Sequence, residues 1–156
     1  MIDTRIATSS DTDKVRAVID DAFGRVRNVY LPKPDAVPTS ENNNLNTTTI
    51  IALIDEEIVG TVCVYKEATA LHVSQLAVVL RFRNQGVARK LLQSAEQLAI
   101  ESDATELRLN TIQETGNVAI FQRLGFTVCE ITEATWCTSD YFPQLNDVTM
   151  SRQCIA

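Results

Sequence analysis

The sequence predicts a mixed α/β fold of the α+β class, built around one central sheet. Between Thr47 and Val79, three segments rich in β-branched residues follow one another across short turns, which is typical of neighbouring antiparallel strands. From Arg81 onwards, helix-like and strand-like segments alternate, which indicates a parallel element joined to that meander. The chain has 156 residues, the usual length of one domain, so residues 1–156 are expected to form a single unit.

The first part of the chain is predicted to contain one strand, one helix and one long loop. The strand extends from Thr4 to Thr8. Ser10 follows as a helix N-cap with Asp13 as the capping-box acid, because such side chains bind the free N–H groups of a first helical turn. Residues 28–46 contain three Pro and three consecutive Asn, which predicts a loop. The apolar face of the helix consists of Val15, Val18, Ile19, Ala22 and Phe23.

The remaining elements follow from changes in the hydrophobic period. Gly86 begins the longest predicted helix, since apolar residues recur on one face from Val87 to Ala99. Gly125 ends a shorter helix as a C′ glycine, a position that favours the left-handed conformation. The predicted strands are Thr47–Ile54, Ile58–Tyr65, Ala70–Val79, Glu106–Asn110, Phe126–Ile131 and Val148–Gln153, and the shorter helix covers Val118–Leu124.

The composition excludes several classes of partner. Twenty Asp and Glu against fourteen Lys and Arg give a net charge of −6, which disfavours both nucleic acid and an anionic membrane surface. The N-terminus shows no signal-peptide pattern, and no apolar stretch approaches the ~20 residues of a membrane span. The four cysteines and single histidine lack metal-site spacing. We expect reduced thiols, no bound metal and a cytoplasmic protein.

The segment from Leu76 to Ala88 carries the most informative chemistry. An apolar strand leads through a polar loop into the first turn of a helix, where about four backbone N–H groups lack partners and suit an anion such as pyrophosphate. Gly86 and Ala88 are small enough for a phosphate to approach the backbone. A solvated basic loop with an ordinary turn glycine is the structural alternative. The positive charges around this point are Arg81, Arg83, Arg89 and Lys90.

The same residues resemble the GNAT family of acyltransferases. The run from Arg83 to Ala88, Arg-Asn-Gln-Gly-Val-Ala, is similar to that family's R/Q-x-x-G-x-G/A signature and stands between a strand and a long amphipathic helix. A second block, Val118 to Phe126, resembles the family's later helix that ends in Leu-Gly-Phe. The resemblance implies a mixed central sheet of about seven strands with helices on both faces, and acetyl-CoA as co-substrate.

The resemblance also implies where acetyl-CoA binds. In this family two strands splay apart around it, here Ala70–Val79 and Glu106–Asn110, and a bulge in the first strand frees backbone N–H groups. Main-chain groups of Leu76, Ala77 and Val78 are expected to hold the pantetheine arm and polarise the thioester carbonyl, as an oxyanion hole does. The expected contacts at the pyrophosphate are Arg81, Arg83, Asn84, Gln85, Gly86, Val87, Ala88 and Arg89. The remaining expected cofactor contacts are Asn110, Asn117 and Phe121.

Acetyl transfer to an amine needs a base, because a protonated amine has no lone pair. His72 is the sole histidine, and an ordinary histidine pKa of roughly 6.5 suits this task. It precedes Leu76 by four residues, so strand alternation predicts both side chains on one face, and some family members carry a catalytic glutamate at that offset. A structural histidine is the alternative, with Glu67 and Glu114 as the other candidate bases.

Two positions depart from the family's pattern. The usual general acid is a Tyr four residues before the Gly of Leu-Gly-Phe, and here that position is Phe121. Tyr65, Tyr141 or solvent are then the alternatives for protonating the leaving thiolate. Asn117 matches the family imperfectly and suits a helix N-cap equally well.

The expected activity is transfer of an acetyl group from acetyl-CoA to a primary amine of a small molecule, directly within a ternary complex. An acyl-CoA-binding sensor with weak catalysis is the alternative from another class; Phe121 favours the sensor and His72 favours the enzyme. The excess of acidic over basic residues favours a cationic acceptor. Many members of the family form dimers, so the resemblance also implies a homodimer.

Overall fold

A computed structural model describes residues 1–33 and 47–154, and a seven-stranded mixed sheet runs through them. The α-helices of the described residues are α1 (Thr12–Val26), α2 (Val87–Glu101) and α3 (Asn117–Arg123). The strands are β1 (Asp3–Ile6), β2 (Leu31–Pro32), β3 (Thr48–Ile54), β4 (Glu57–Glu67), β5 (Ala70–Val78), β6 (Glu106–Ile112), β7 (Thr127–Glu133), β8 (Cys137–Thr138) and β9 (Asn146–Gln153).

The order of strands in the sheet is β1-β3-β4-β5-β6-β9-β7. Its neighbours pair antiparallel except β5 and β6, which are parallel. Parallel neighbours require a crossover connection, and α2 supplies it between β5 and β6. The predicted fold class is therefore confirmed, as an antiparallel meander joined to one parallel pair.

The seven predicted strands are all present, and their ends lie within two residues of the predicted ends. Two short strands were missed: β2 and β8 pair with each other and have two residues each, too few to produce a hydrophobic period. β2 lies within the segment predicted as a loop. The remainder of that segment, residues 34–46, lies outside the described residues.

Apolar layers cover both faces of the sheet. On one face, α2 packs through Leu91 and Leu92, which are fully buried among residues of β3 to β6. On the other face, α1 packs through Val18 and Ala22 onto Ile51 and its neighbours. These helices bury the sides that their hydrophobic period predicted, which places helices on both faces of the sheet.

A 3₁₀ turn, Ser9–Asp11, leads into α1, and its cap lies two residues before the predicted one. Thr8 N–H donates to the Asp11 carboxylate at 2.8 Å, so these two residues form the capping box. The prediction of Ser10 and Asp13 for these roles is wrong. The physical reason is Arg5, whose guanidinium donates to both Asp11 oxygens at 2.7 and 3.1 Å and holds this carboxylate beside β1. The hydrogen bonds from Arg5 keep the pKa of Asp11 well below its usual range.

Gly60→Ala is expected to destabilise the protein at the junction of β4 with α2. A Cβ at Gly60 would lie 2.7 Å from Val87 Cγ1 and 3.2 Å from the Ala77 carbonyl oxygen. Overpacking of a close-packed core costs about 1–3 kcal/mol, so thermal unfolding should show a lower Tm. Gly24→Ala is the control, since Gly24 lies in α1 with nothing within 4 Å of the added Cβ. An equal Tm for both variants would contradict the tight contact at Gly60.

Candidate active site

The parallel strands β5 and β6 separate soon after they begin. They pair over three positions, from Ala70 opposite Glu106 to His72 opposite Arg108. Beyond these positions both strands continue without pairing to each other. The backbone groups of β5 that face this gap therefore have no strand neighbour, and the two strands splay apart where the resemblance placed the cofactor.

A β-bulge lies in β5 beside the splay. The register between β4 and β5 shifts between Thr61 and Cys63, so two residues of β5, Gln75 and Leu76, oppose one residue of β4. Gln75 has a φ of +52°, a left-handed conformation that residues other than glycine rarely adopt. The bulge thus begins one residue before Leu76, next to the main chain expected to bind the thioester.

The bulge changes which face of the sheet each β5 side chain occupies. Leu71 and Val73 precede it and pack on the α2 side. Leu76 and Val78 follow it and pack on the same side. His72 therefore lies on the opposite face from Leu76, and the prediction that they share a face is wrong. One extra residue inverts the alternation of a strand, which the sequence alone did not reveal.

The first turn of α2 has the geometry of an anion site. Gly86 precedes it in a left-handed conformation with a φ of +88°, and a Cβ there would meet nothing within 4 Å. The first helical hydrogen bond extends from Lys90 N–H to Gly86 O at 3.0 Å. The N–H groups of Val87, Ala88 and Arg89 accordingly have no acceptor within the helix. Unpartnered N–H groups beside open space suit a phosphate.

The basic loop before α2 is held by its own contacts. Arg81 forms an ion pair with Glu57, and the Gln85 side-chain amide donates to the Arg81 carbonyl at 3.2 Å. Burial lowers the pKa of Arg83, and the charge of Arg25 in α1 lowers it further. Arg83 thus lies near a second guanidinium that the sequence did not indicate. Asn84, with a φ of +62°, supplies a second left-handed turn in this loop.

The two asparagines predicted near the pantetheine arm have different surroundings. Asn110 Nδ2 donates to Asp147 Oδ1 and Thr149 Oγ1, both at 3.0 Å, so its side chain is held towards β9. Asn117 is the first residue of α3, and Gly116 occupies the cap position with a φ of +82°. The alternative of Asn117 as an N-cap is therefore wrong, because the left-handed glycine turns the chain one residue earlier.

Phe121 is half-buried in the apolar core. Its ring packs edge-to-face on Phe126, with centroids 6.0 Å apart. Gly125 ends α3 with a φ of +94°, as predicted. Phe126 N–H donates to Phe121 O at 3.0 Å, and Gly125 N–H donates to Gln122 O at 3.1 Å, which together form a Schellman motif. The position of the family's usual acid thus holds a ring without a transferable proton.

His72 lies where β5 and β6 separate, in contact with two residues of β4. Its imidazole stacks on the Tyr65 ring, with centroids 4.9 Å apart and planes 9° from parallel. Its Nε2 lies 3.3 Å from Glu67 Oε2. Burial lowers the pKa of His72, and the charge of Glu67 partly opposes this. The lowered pKa favours the neutral imidazole, the form that accepts a proton.

The other two candidate bases differ from His72 in their environment. Glu114 accepts hydrogen bonds from Asn146 at both oxygens, from the backbone N–H at 2.7 Å and from Nδ2 at 3.0 Å. It thereby ties the turn after β6 to the start of β9. The Glu67 side chain is 66% exposed, whereas that of His72 is 20% exposed. Of the three, His72 alone is a β5 residue at the splay.

A cleft of about 480 Å³ opens between the β1–α1 turn and strands β3 to β5. Cys63 and Gln75 form part of its lining, and the Cys63 thiol donates to Gln75 Oε1 at 3.3 Å. Burial raises the pKa of the Cys63 thiol, so it stays protonated near neutral pH. Gln75 was not predicted from the sequence, because its left-handed backbone at the bulge is visible only in the structure.

A comparison with known protein families identifies the class of this protein. Residues 29–136 match the family described as the acetyltransferase (GNAT) domain, and the chain belongs to this family. Membership implies acyltransferase activity. No curated protein sequence gives a match. No helix within residues 1–33 and 47–154 is long and apolar enough to cross a membrane.

Solved structures with the same fold include acetyltransferases for different acceptors. Nourseothricin acetyltransferase is 19% identical, with 99% of each chain covered and a TM-score of 0.72. A ribosomal-protein-alanine N-acetyltransferase from Brucella melitensis is 17% identical, with 96% of this chain and 98% of that chain covered and a TM-score of 0.73. A GNAT family acetyltransferase from Elizabethkingia anophelis with acetyl-CoA bound is 17% identical, with 97% of each chain covered and a TM-score of 0.73. At these identities the likeness establishes the fold.

Proposed function

We propose that the protein transfers an acetyl group from acetyl-CoA to a primary amine of a small molecule. The observation that carries this proposal is the separation of β5 from β6 directly after His72, with the bulge at Gln75 beside it. In the reaction, the acetyl carbon exchanges its bond to sulfur for a bond to the amine nitrogen within one ternary complex. The amine gives up a proton, and the thiolate leaves.

Acetyl-CoA supplies an activated thioester, and two regions of this chain fit it. The open space at Gly86 and the adjacent N–H groups of Val87 to Arg89 would bind the pyrophosphate, with Arg81 and Arg83 nearby. The gap between β5 and β6 would hold the pantetheine arm. Backbone N–H groups from Leu76 to Val78 would polarise the thioester carbonyl, since preorganised donors are strongest where water is excluded. The Elizabethkingia anophelis structure of the same fold has acetyl-CoA bound, which supports acetyl-CoA as the co-substrate.

His72 is the proposed general base. Its lowered pKa favours the neutral form, it lies at the splay, and it carries a nitrogen lone pair that can take the amine proton through a water. The 480 Å³ cleft is the proposed acceptor site, because its volume is in the range of small-molecule sites and its lining reaches Gln75 at the bulge. His72 does not line this cleft, so a water would carry the proton from the amine to the imidazole.

A second function, an acyl-CoA-binding sensor with weak catalysis, is favoured by Phe121. Its ring is engaged with Phe126 and offers no proton to the leaving thiolate. Measuring thiol release from acetyl-CoA across a panel of amines, amino acids and peptides distinguishes the two functions. Turnover with any of them supports the enzyme, whereas tight coenzyme A binding without turnover supports the sensor.

Coenzyme A is expected to raise the melting temperature, because it would bind only the folded state. At a concentration 100 times its Kd, a ligand adds about 2.7 kcal/mol to the free energy of unfolding. For a chain of this size the corresponding rise in Tm is about 5–10 °C. Differential scanning fluorimetry with coenzyme A measures it, and adenosine serves as the control without pyrophosphate. An unchanged Tm in millimolar coenzyme A would exclude both proposed functions.

A further inference from the structure

We propose that Arg16 of α1 selects an acceptor that carries a carboxylate as well as the primary amine, by forming an ion pair with that carboxylate in the 480 Å³ cleft. This inference rests on the proposed acetyl transfer and adds to it the chemical class of the acceptor. Arg16 is in this view a specificity-determining residue, which binds the part of the acceptor that does not react.

One stripe of α1 forms a wall of the cleft. Four residues at helical spacing make up this stripe and lie on one face of the helix: Thr12, Val15, Arg16 and Ile19. The three aspartates of the same helix do not line the cleft: Asp13, Asp20 and Asp21. The helix therefore presents a positive charge to the cleft and keeps its negative charges on its other sides.

The charge of the cleft is opposite to the charge of the chain. Among the described residues that line the cleft, Arg16 has the only charged side chain. The Asp11 carboxylate next to this lining is already bound by the Arg5 guanidinium at 2.7 and 3.1 Å. Salt screens charges beyond about 8 Å at physiological ionic strength, so a ligand in the cleft responds mainly to Arg16 and less to the net charge of −6. The cleft consequently favours an acceptor with a negative group.

The guanidinium of Arg16 is available to such a group. It is exposed, and within residues 1–33 and 47–154 it forms no ion pair. Two neighbouring hydroxyl protons are already used, since Thr12 Oγ1 donates to the Ser9 carbonyl at 3.0 Å and Thr8 Oγ1 donates to the Asp11 carboxylate at 3.2 Å. A guanidinium offers five N–H donors in a planar fork that matches a carboxylate, which makes Arg16 the principal donor for an anion on this side of the cleft.

The floor of the cleft leads across the sheet to the bulge. Thr49 of β3 is opposite Cys63 of β4, and its Oγ1 lies 3.5 Å from Cys63 Sγ. The Cys63 thiol in turn donates to Gln75 Oε1 at 3.3 Å. Gln75 is next to the main chain that is proposed to bind the thioester, and Arg16 lines the same cleft. One small acceptor can therefore contact Arg16 with its carboxylate while its amine lies beside Gln75, close to the acetyl group.

Matched pairs of acceptors test the inference with the full-length protein. The standard amino acids and 4-aminobutyrate are each compared with their carboxamides, which keep the amine and the shape but lack the negative charge. Arg16→Gln should lower the ratio of kcat/KM for the acid to kcat/KM for the amide by about tenfold, mainly through a higher KM for the acid. This is the lower end of the effect of a hydrogen bond to a charged group, because water screens the exposed guanidinium. Comparing the ratio between proteins cancels the different basicity of the two amines.

Two further variants control for charge and position. Lys14→Gln removes a positive charge from α1 outside the cleft and should leave the ratio unchanged. Arg16→Glu should lower the ratio below that of Arg16→Gln, because it repels the carboxylate. Equal ratios for the parent and Arg16→Gln proteins, or turnover only of amines without a carboxylate, would overturn the inference.

A binding measurement separates this inference from the proposed function. Calorimetric titration with each acid and its amide reports the same discrimination without turnover, so it also applies to a sensor. Equal affinities for acid and amide in the parent and Arg16→Gln proteins would overturn the role of Arg16. Failure of the parent protein to bind coenzyme A would instead count against the proposed function.

Discussion

His72→Ala is expected to lower the rate of acetyl transfer by roughly 10²-fold or more, the usual contribution of a positioned base. Coenzyme A affinity should stay within about twofold of the parent value, which is a negligible change in binding free energy. The proposed cofactor contacts come from the main chain of Leu76 to Val78 and from the start of α2, not from the imidazole. Steady-state kinetics and calorimetric titration with coenzyme A measure the two quantities separately.

The pH dependence of His72→Ala identifies the cause of its defect. Burial lowers the pKa of His72. As the pH falls, the parent rate should therefore stay constant to below pH 6.5, roughly the ordinary histidine pKa, and should drop only when the imidazole becomes protonated. The variant lacks this titration, and its rate should rise with pH as free amine forms without help. The ratio of parent to variant rates should therefore shrink towards the pKa of the acceptor. Unchanged activity of His72→Ala over this range would make His72 a structural residue.

Gly86→Glu is expected to abolish coenzyme A binding while the protein remains folded. The new side chain would occupy the open space at the start of α2 and place a negative charge where the pyrophosphate is proposed to sit. Because Gly86 has a φ of +88°, any L-residue there also adds strain of about 1 kcal/mol, a modest loss of stability. Calorimetric titration with coenzyme A and the Tm of the free variant report the two effects.

Two controls separate the charge from the strain. Gly86→Ala introduces the same backbone strain with only a methyl group, and it should bind coenzyme A more weakly than the parent but measurably. Gly24→Glu introduces the same charge in α1, at a glycine that also has open space and no positive φ, and it should bind normally. Normal binding by Gly86→Glu would place the pyrophosphate elsewhere on the protein.

Much of the architecture follows from local sequence patterns. The seven strands of the sheet and the apolar faces of α1 and α2 were predicted because alternation and helical periodicity depend on neighbours a few residues apart. Gly86 and Gly125 were located for the same reason, since a left-handed residue at a helix end leaves a local signature. The two motif blocks, and the family that they indicate, could likewise be recognised from residues close together in the sequence.

The capping of the 3₁₀ turn before α1 shows how a partner in a neighbouring strand changes a local prediction. Ser10 and Asp13 have the spacing of a capping box, and so do Thr8 and Asp11. The choice between them is made by Arg5, a residue of β1 whose guanidinium binds Asp11. Sequence spacing permits both pairs, whereas the position of β1 against α1 selects one.

The sequence by itself determined the class of fold, the loop that suits an anion, and the single histidine on β5. Only the tertiary structure decided the bulge at Gln75, the face that His72 occupies, and the Tyr65 and Glu67 side chains that contact its ring. The physical reason is that a bulge is a property of two paired strands. Its extra residue is defined only by the register of β4 against β5, and that register depends on packing across the whole sheet.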